Sequence, residues 1–226
     1  MVPVVCIDGP GGAGKGTVAK AVAESLNYHL LDSGAIYRVM ALAVQKHQLD
    51  LDNLSLLENC AAKLDVSFVN PDSGLVQTWL EGEDVTEQLR LESTATMASK
   101  VATISVVRDA LLQRQRDFAQ VPGLVADGRD MGTIVFPDAP VKVFLTASAE
   151  ERAKRRHKQL QEQGKSVSIA RLKKAIEERD ARDMNRRVAP LQPAEDAITI
   201  DTTELSITEV VTQVLERVKR TMASNT

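Results

Sequence analysis

One stretch constrains the fold of this chain more than any other: Gly9-Pro10-Gly11-Gly12-Ala13-Gly14-Lys15-Gly16-Thr17. An apolar run at 2–7 leads into it, and Val18, Ala19, Ala21, Val22, Ala23 and Leu26 follow at helical spacing. A strand, a glycine-rich turn and a helix in that order form the setting of a phosphate-binding loop. Glycines let the backbone fold back so that several N–H groups point at an anion. The helix N-terminus adds the positive end of its dipole. Lys15 supplies a mobile charge for the outer phosphates. The spacing from Gly9 to Gly14-Lys15 fits G-x-x-x-x-G-K, but the hydroxyl is displaced: Gly16 follows the lysine and Thr17 comes one residue later. The competing reading is a glycine-rich turn that holds no ligand, which would require these elements to be in register by chance.

Composition bounds what surrounds the loop. A chain of 226 residues holds one large domain with an insertion, or two small ones. Hydrophobic residues at 43% and charged residues at 26% are ordinary for a globular protein. A net charge of −3 carries no footprint of non-specific nucleic-acid binding. Two cysteines, Cys6 and Cys60, make no disulfide framework, and Cys6 is expected to pack inside a strand. The N-terminal run has no basic flank and Asp8 cuts it short. Neither a signal peptide nor a membrane span is therefore expected, and the expected location is a reducing cytoplasm.

The order of elements reads as α/β. A short strand at 28–31 ends at Asp32-Ser33-Gly34, and a helix at 35–45 places Ile36, Val39, Met40, Ala43 and Val44 on one face. Strand-like runs at 64–69 and 75–80 flank the turn Asn70-Pro71-Asp72-Ser73-Gly74, which predicts an antiparallel hairpin. Helices are expected at 92–101 and 106–118, and buried parallel strands at 124–126 and 141–145. Ser148-Ala149-Glu150-Glu151 and Ser206-Ile207-Thr208-Glu209 are capping boxes that each open a helix. The second of these helices puts Ile207, Val210, Val211, Val214, Leu215 and Val218 on one core stripe. The region around 60–100 is the one candidate subdomain.

Four further clusters bear on function. The stretch from Asp32 to Arg38 and the stretch Asp127-Gly128-Arg129-Asp130-Met131-Gly132 each follow a strand, where open parallel sheets bind ligands. Arg152, Arg155 and Arg156 share one helical face, and Arg179, Asp183 and Arg186 share another, with Arg182 beside them. Forked, permanently charged arginines suit bidentate phosphate contacts, and phosphoryl transfer depends on charge stabilisation and positioning. Ordinary turns and solvated helix faces laced with Glu150, Glu151, Glu177 and Glu178 are the alternative, which the upstream loop outweighs.

Taken together, Gly-Pro-Gly-Gly-Ala-Gly-Lys-Gly-Thr, Leu-Asp-Ser-Gly-Ala-Ile-Tyr-Arg, Ala-Asp-Gly-Arg-Asp-Met-Gly-Thr and Glu-Arg-Asp-Ala-Arg-Asp-Met-Asn-Arg closely resemble the bacterial cytidylate kinases, phosphate-loop enzymes of the nucleoside monophosphate kinase type. The resemblance runs through essentially the whole chain. It implies a single phosphate-loop kinase domain, with a parallel sheet flanked by helices as its core (1–32, 102–150 and 167–226). It also implies a monophosphate-binding region with a hairpin insertion at 33–101 and a short helical lid at about 151–166. The implied reaction joins ATP and CMP or dCMP to give ADP and CDP or dCDP with Mg²⁺, in a monomer. Residues 9–17, namely Gly9, Pro10, Gly11, Gly12, Ala13, Gly14, Lys15, Gly16 and Thr17, would hold the ATP phosphates. Arg38 and Arg129 would grip the CMP phosphate in a site lined by Ser33 and Tyr37. Ser99, Arg108 and Asp130 would read cytosine, and Arg179 and Asp183 would hold the ribose. Arg186 would reach the transferring group, and Arg152, Arg155 and Arg156 would form the lid over ATP. Lys15, Arg129, Arg155 and Arg186 would be the catalytic set. No general base is needed, since the CMP phosphate is already an oxygen nucleophile. Mg²⁺ would be held largely by phosphates and water, with Thr17 the candidate hydroxyl.

Two rivals stand beside this. Another phosphate-loop enzyme is one, although a switch GTPase would normally carry Asn-Lys-x-Asp, absent here, and a sugar or shikimate-type kinase needs no cytosine-reading loop. A non-catalytic nucleotide-binding module is the other, and the lysine and arginine sets argue against it.

Overall fold

The computed structural model describes residues 2–69, 77–162 and 164–223. They form two compact units, one of residues 1–32 and 115–226, the other Ser33–Arg114.

The larger unit opens with β1 (Val4–Asp8), whose five residues are all buried. The chain leaves β1 through Gly9 at φ 147, where a Cβ would sit 2.0 Å from the Leu145 carbonyl oxygen, so only glycine fits this exit. Helix α1 (Lys15–Leu26) starts after Gly14, whose φ of 88 is left-handed, and stops at Asn27, also left-handed at φ 55. Strand β2 (His29–Asp32) follows.

In the smaller unit, α2 (Ser33–Lys46) buries Ile36, Val39, Met40, Ala43 and Val44 as its spacing predicts. Helix α3 (Leu54–Ala62) is capped by Asn53, whose side chain accepts from the Leu56 N–H. Strands β3 (Val66–Val69), β4 (Gln77–Leu80) and β5 (Glu83–Asp84) form an antiparallel sheet in that order. Val66 faces Leu80 and Trp79 faces Asp84, so the antiparallel pairing expected of the hairpin is present. Its expected turn at 70–74 and the first two residues of the run at 75–80 lie outside the described residues. Helices α4 (Thr86–Leu89), α5 (Glu92–Val101) and α6 (Ser105–Arg116) complete the segment, with α5 packed on α2.

Back in the larger unit come β6 (Leu124–Gly128), β7 (Val141–Thr146), α7 (Ala149–Glu162), α8 (Ile169–Asn185), β8 (Ile198–Asp201) and α9 (Ile207–Ala223). The five strands run parallel in the order β2-β6-β1-β7-β8, with Cys6 beside Ala126 on one side and Lys142 on the other. This is the expected α/β architecture with a central parallel sheet. Helices α1 and α9 pack against one another, and Val18, Val22, Val210, Val214 and Val218 join Val5, Ile7, Val125, Val143 and Leu145 in one core. The Ser206 box forms in full, with Ser206 and Glu209 each accepting from the other's backbone, whereas at Ser148 only half forms: its Oγ accepts from the Glu151 N–H while its own N–H donates to Thr203 Oγ1.

Three expectations change. Ile207 is 52% exposed, because it starts α9 and the core stripe begins at Val210. Arg186 is not on the face of α8 but follows its end in extended backbone (φ −64, ψ 140), ahead of Ala189 at φ 49 and then Pro190. Proline disfavours helix at the residue before it. Met131 and Gly132, at the end of the polar stretch 127–132 expected as a loop, open a single π-helical turn, Met131–Val135.

Candidate active site

The phosphate loop is shaped by what holds its carbonyls. Lys15 Nζ donates to the Pro10 oxygen at 2.9 Å, Arg152 Nη1 to that of Gly11 at 3.0 Å, and Thr202 Oγ1 to that of Ala13 at 3.2 Å. In a trans peptide the carbonyl of one residue and the N–H of the next point in opposite directions. The N–H groups of Gly12 and Gly14 therefore face away from Arg152 and Thr202. The N-terminus of α1 adds its dipole beside these N–H groups.

Two of the three α7 arginines serve the loop from behind. Arg152 is buried, and every group of its fork is engaged: Nε on Ala147 O at 3.0 Å, Nη1 on Asp180 Oδ1 at 3.1 Å as well as on Gly11, and Nη2 on Asp180 Oδ2 at 2.5 Å. Its Cβ lies 3.2 Å from where a side chain at Gly12 would begin. Arg152 thus ties the loop to α7 and α8. Arg155 donates to Glu151 at 3.0 Å and through both terminal nitrogens to Thr202, at 3.1 and 2.5 Å, and Thr202 in turn holds Ala13. Arg156 contacts Gln159 at 3.4 Å. Removing Arg152 would leave Asp180 charged and unpaired, which costs about 3 kcal/mol or more. Arg152→Ala is therefore expected to lower Tm by roughly 6–12 °C, given about 2–4 °C per kcal/mol for a chain of this size. Thermal unfolding checks it. An unchanged Tm with a raised KM for ATP would mean that Arg152 meets the nucleotide rather than the loop.

Cations gather over the loop. A Cβ at Gly11 would lie 3.4 Å from Arg129 Nη2 and 3.7 Å from Arg179 Nη1. Arg129 is aimed by Asp183, whose Oδ2 accepts from its Nε at 3.2 Å. Burial, then repulsion from Arg129 and Arg179, brings the Lys15 ammonium from its ordinary 10.5 down to about 7, against the pull of Asp127 and Asp8. Arg129 and Arg179 thus crowd the Lys15 ammonium beyond what Asp127, 4.0 Å away, offsets. A bound polyphosphate would restore the lysine's charge, so binding above pH 7 must take up a proton. Triphosphate affinity is then expected to fall as pH rises from 7 to 9, by up to about tenfold per unit. Calorimetry in buffers of different ionisation enthalpy reads the uptake directly, and no uptake across that range would contradict a neutral Lys15.

Asp130 and Arg186, both almost wholly buried, face each other with Oδ1 and Nη2 3.6 Å apart, and Arg186 Nε donates to the Ala189 carbonyl. In the smaller unit, Ser33 and Tyr37 are buried one helical turn apart on α2, and Arg38 is half-buried next to Tyr37. The Arg108 guanidinium stands 5.6 Å over the Tyr37 ring and donates to Ala102 O at 3.2 Å. Ser99 is buried on α5. Of the expected residues, the structure thus assembles residues 9–17, Arg129, Arg179 and Asp183 around the loop, Asp130 with Arg186, and Tyr37 with Arg108.

Four residues carry more than their sequence context suggested. Asp127, at the end of β6, lies 4.0 Å from Lys15 Nζ, and Gly16 leaves room for it, since a Cβ there would be 3.4 Å from Asp127 Oδ2. Asp8, at the end of β1, accepts from the N–H groups of Met131 and Gly132, both at 2.8 Å. Burial pushes its carboxyl up to about 7, against those two hydrogen bonds. Asp180 and Thr202 are the anchors of Arg152 and Arg155 described above. An acidic residue at the carboxyl end of an otherwise apolar strand was the available sign for Asp8 and Asp127.

The sequence has relatives among known proteins. A family model described as cytidylate kinase matches residues 5–220. The cytidylate kinase of Colwellia psychrerythraea is 62% identical over 213 residues, covering 94% of each chain. That of Klebsiella pneumoniae is 57% identical over 222 residues, 98% of this chain and 97% of that one. That of Yersinia pestis is 56% identical over 223 residues, 99% of this chain and 96% of that one. A match through nearly the whole length, on a parallel sheet with a phosphate loop at the carboxyl end of its central strand, settles the family: the chain belongs to the cytidylate kinases, nucleoside monophosphate kinases that transfer phosphoryl groups.

Proposed function

We propose that this member of the family transfers the γ-phosphoryl group of ATP to CMP or dCMP, releasing ADP and CDP or dCDP. The observation that carries the reading is the convergence of Lys15, Arg129 and Arg179 on a glycine loop braced by Arg152 and Thr202. In the transfer, the bond from Pγ to the β,γ-bridging oxygen breaks and a bond from Pγ to a CMP phosphate oxygen forms. Charge accumulates on the γ-oxygens and the bridge, where preorganised amides and cations stabilise it.

The roles are those that the family resemblance implies. The amides of residues 9–17 and Lys15 hold the ATP phosphates. Arg129 grips the acceptor phosphate together with Arg38, in a site lined by Ser33 and Tyr37. Arg179 and Asp183 serve the ribose, and Arg186 the group in transit. Asp130, with Ser99 and Arg108, reads the base. Within the unit Ser33–Arg114, the stretch 33–101 is the monophosphate-binding region. Within the lid segment, Arg152 and Arg155 act by bracing the loop, which leaves Arg156 as the arginine for nucleotide contact. Among the described residues no cluster of acidic, His or Cys side chains forms a metal cage. The Asp127 carboxylate at 4.0 Å from Lys15 and the Thr17 hydroxyl in the first turn of α1 are oxygens suited to a hard cation such as Mg²⁺ that keeps most of its ligands from phosphates and water. When bound, the ion neutralises phosphate charge. Cys6 and Cys60 are free thiols, in keeping with a reducing cytoplasm, and no described helix is long and apolar enough to cross a membrane.

A coupled ADP-release assay with CMP, dCMP, UMP, dTMP, AMP and shikimate tests the reading. Turnover with CMP and dCMP well above the rest is expected. Preference for another acceptor would overturn the substrate, and binding of ATP without turnover of any acceptor would mark a non-catalytic nucleotide-binding module.

A further inference from the structure

We infer that Asp8 is a positioning residue that sets the Arg129-Asp130 loop in register with the phosphate loop. The inference rests on the reading of that loop as the acceptor side of the site. Strands β1 and β6 are paired up to Asp8 and Gly128. Beyond Gly128 the chain passes Arg129 and Asp130 and enters the π-helical turn Met131–Val135. The first N–H groups of any helical segment have no partner within it. Asp130 precedes this turn in the cap position, yet its side chain makes no capping bond, and it faces Arg186 instead. Asp8 supplies the cap from the neighbouring strand. Its Oδ1 accepts from Met131 and its Oδ2 from Gly132, each at 2.8 Å.

The arrangement is specific to a carboxylate. Two diverging acceptors meet two consecutive donors, whereas an asparagine would turn its own NH₂ toward one of them. Space is also fitted: a Cβ at Gly132 would lie 3.4 Å from Asp8 Oδ2 and 3.1 Å from Lys142 Cδ, and Lys142 is itself fixed on Asp196 at 3.0 Å. Asp8 immediately precedes Gly9, where the phosphate loop leaves β1. One buried side chain therefore joins the start of that loop to the segment carrying Arg129, which stands over Gly11, and Asp130, which faces Arg186. A slip of the segment by a fraction of an ångström would misplace the acceptor while leaving the ATP side braced by Arg152 and Thr202. Small misplacements of reacting groups cost one to two orders of magnitude in rate.

Steady-state kinetics of Asp8→Asn, with amide hydrogen exchange, tests this. A kcat about tenfold lower and a KM for CMP about tenfold higher are expected, with the KM for ATP within twofold of the wild type. Faster exchange is expected at Met131 and Gly132, with the sheet unchanged. Gly132→Ala, which presses on the same carboxylate without removing it, should show the same split more weakly. Two results would overturn the inference: CMP and ATP parameters that stay within twofold, or a fall in kcat with both KM values unchanged and exchange raised throughout. Arg129→Ala separates the two readings. If it leaves the KM for CMP unchanged, the acceptor assignment of the loop fails, whereas faster exchange confined to Met131 and Gly132 in Asp8→Asn still reports the grip of Asp8.

Discussion

Lys15→Ala is expected to lower kcat by about 10²-fold or more, the loss of about 3 kcal/mol that follows removal of one preorganised donor from a charge-stabilising site. Lys15 is buried, held by the Pro10 carbonyl at 2.9 Å, and is the lysine placed to follow charge on the transferring group. The same structure says that the fold survives. The ammonium is desolvated and repelled by Arg129 and Arg179, which is why its proton is held so weakly. Removing it relieves repulsion as well as breaking one hydrogen bond, so Tm is expected to stay within a few degrees of the wild type or to rise. Activity and thermal unfolding on one preparation check both halves. A near wild-type kcat would mean that this loop is not the catalytic phosphate site.

The second large effect concerns the base. CMP is expected to be preferred over UMP by about 10² or more in kcat/KM, because a site built on hydrogen bonds rejects an analogue that leaves buried groups unpaired. Cytosine offers an amino donor at position 4 and acceptors at N3 and O2, whereas uracil offers an acceptor at position 4 and a donor at N3. A carboxylate suits the cytosine amino group, as it does when proteins read cytosine in DNA. Asp130 is 2% exposed and lies against Arg186, so it is oriented and shielded from water that could compensate a mismatch. Asp130→Ala should lower CMP turnover far more than UMP turnover and narrow the ratio. Arg129→Ala should weaken both substrates alike, since its guanidinium sits with that of Arg179 over Gly11 and is proposed to meet the phosphate. Kinetics of both variants with both substrates decide it, and an unchanged ratio in Asp130→Ala would move base reading to Ser99 and Arg108.

What could be read from the chain alone follows physical lines. Strands β1, β6 and β7 are covered on both faces and are nearly continuous apolar runs, so their presence was legible. The edge strand β8 was not, because Ile198-Thr199-Ile200-Asp201 is four residues long and mostly half-exposed or exposed. Strand β5, with two exposed acidic residues, and α4, with a single turn, carry no periodicity to detect. Arg186 was placed on a helix by extending its period past Asn185, where Ala189 and Pro190 take the chain out of helix. The candidate phosphate site was legible because its loop is contiguous. The supports of that loop were not, since each joins residues far apart: Arg152 reaches Gly11 across 141 positions, Thr202 reaches Ala13 across 189, and Asp8 meets Met131 across 123. Such pairs depend on strand order and register, which no local pattern encodes. The α7 arginines show the consequence. Helical spacing placed them on one face, but only the fold shows that two of them point at protein carbonyls.

The most direct test of the central claim follows phosphorus itself. With ATP, Mg²⁺ and CMP, ³¹P NMR of the reaction is expected to show one CDP formed for each ADP, with no build-up of inorganic phosphate while CMP lasts. Accumulating inorganic phosphate in place of CDP, or no loss of ATP in the presence of CMP, would contradict phosphoryl transfer to a cytidine monophosphate.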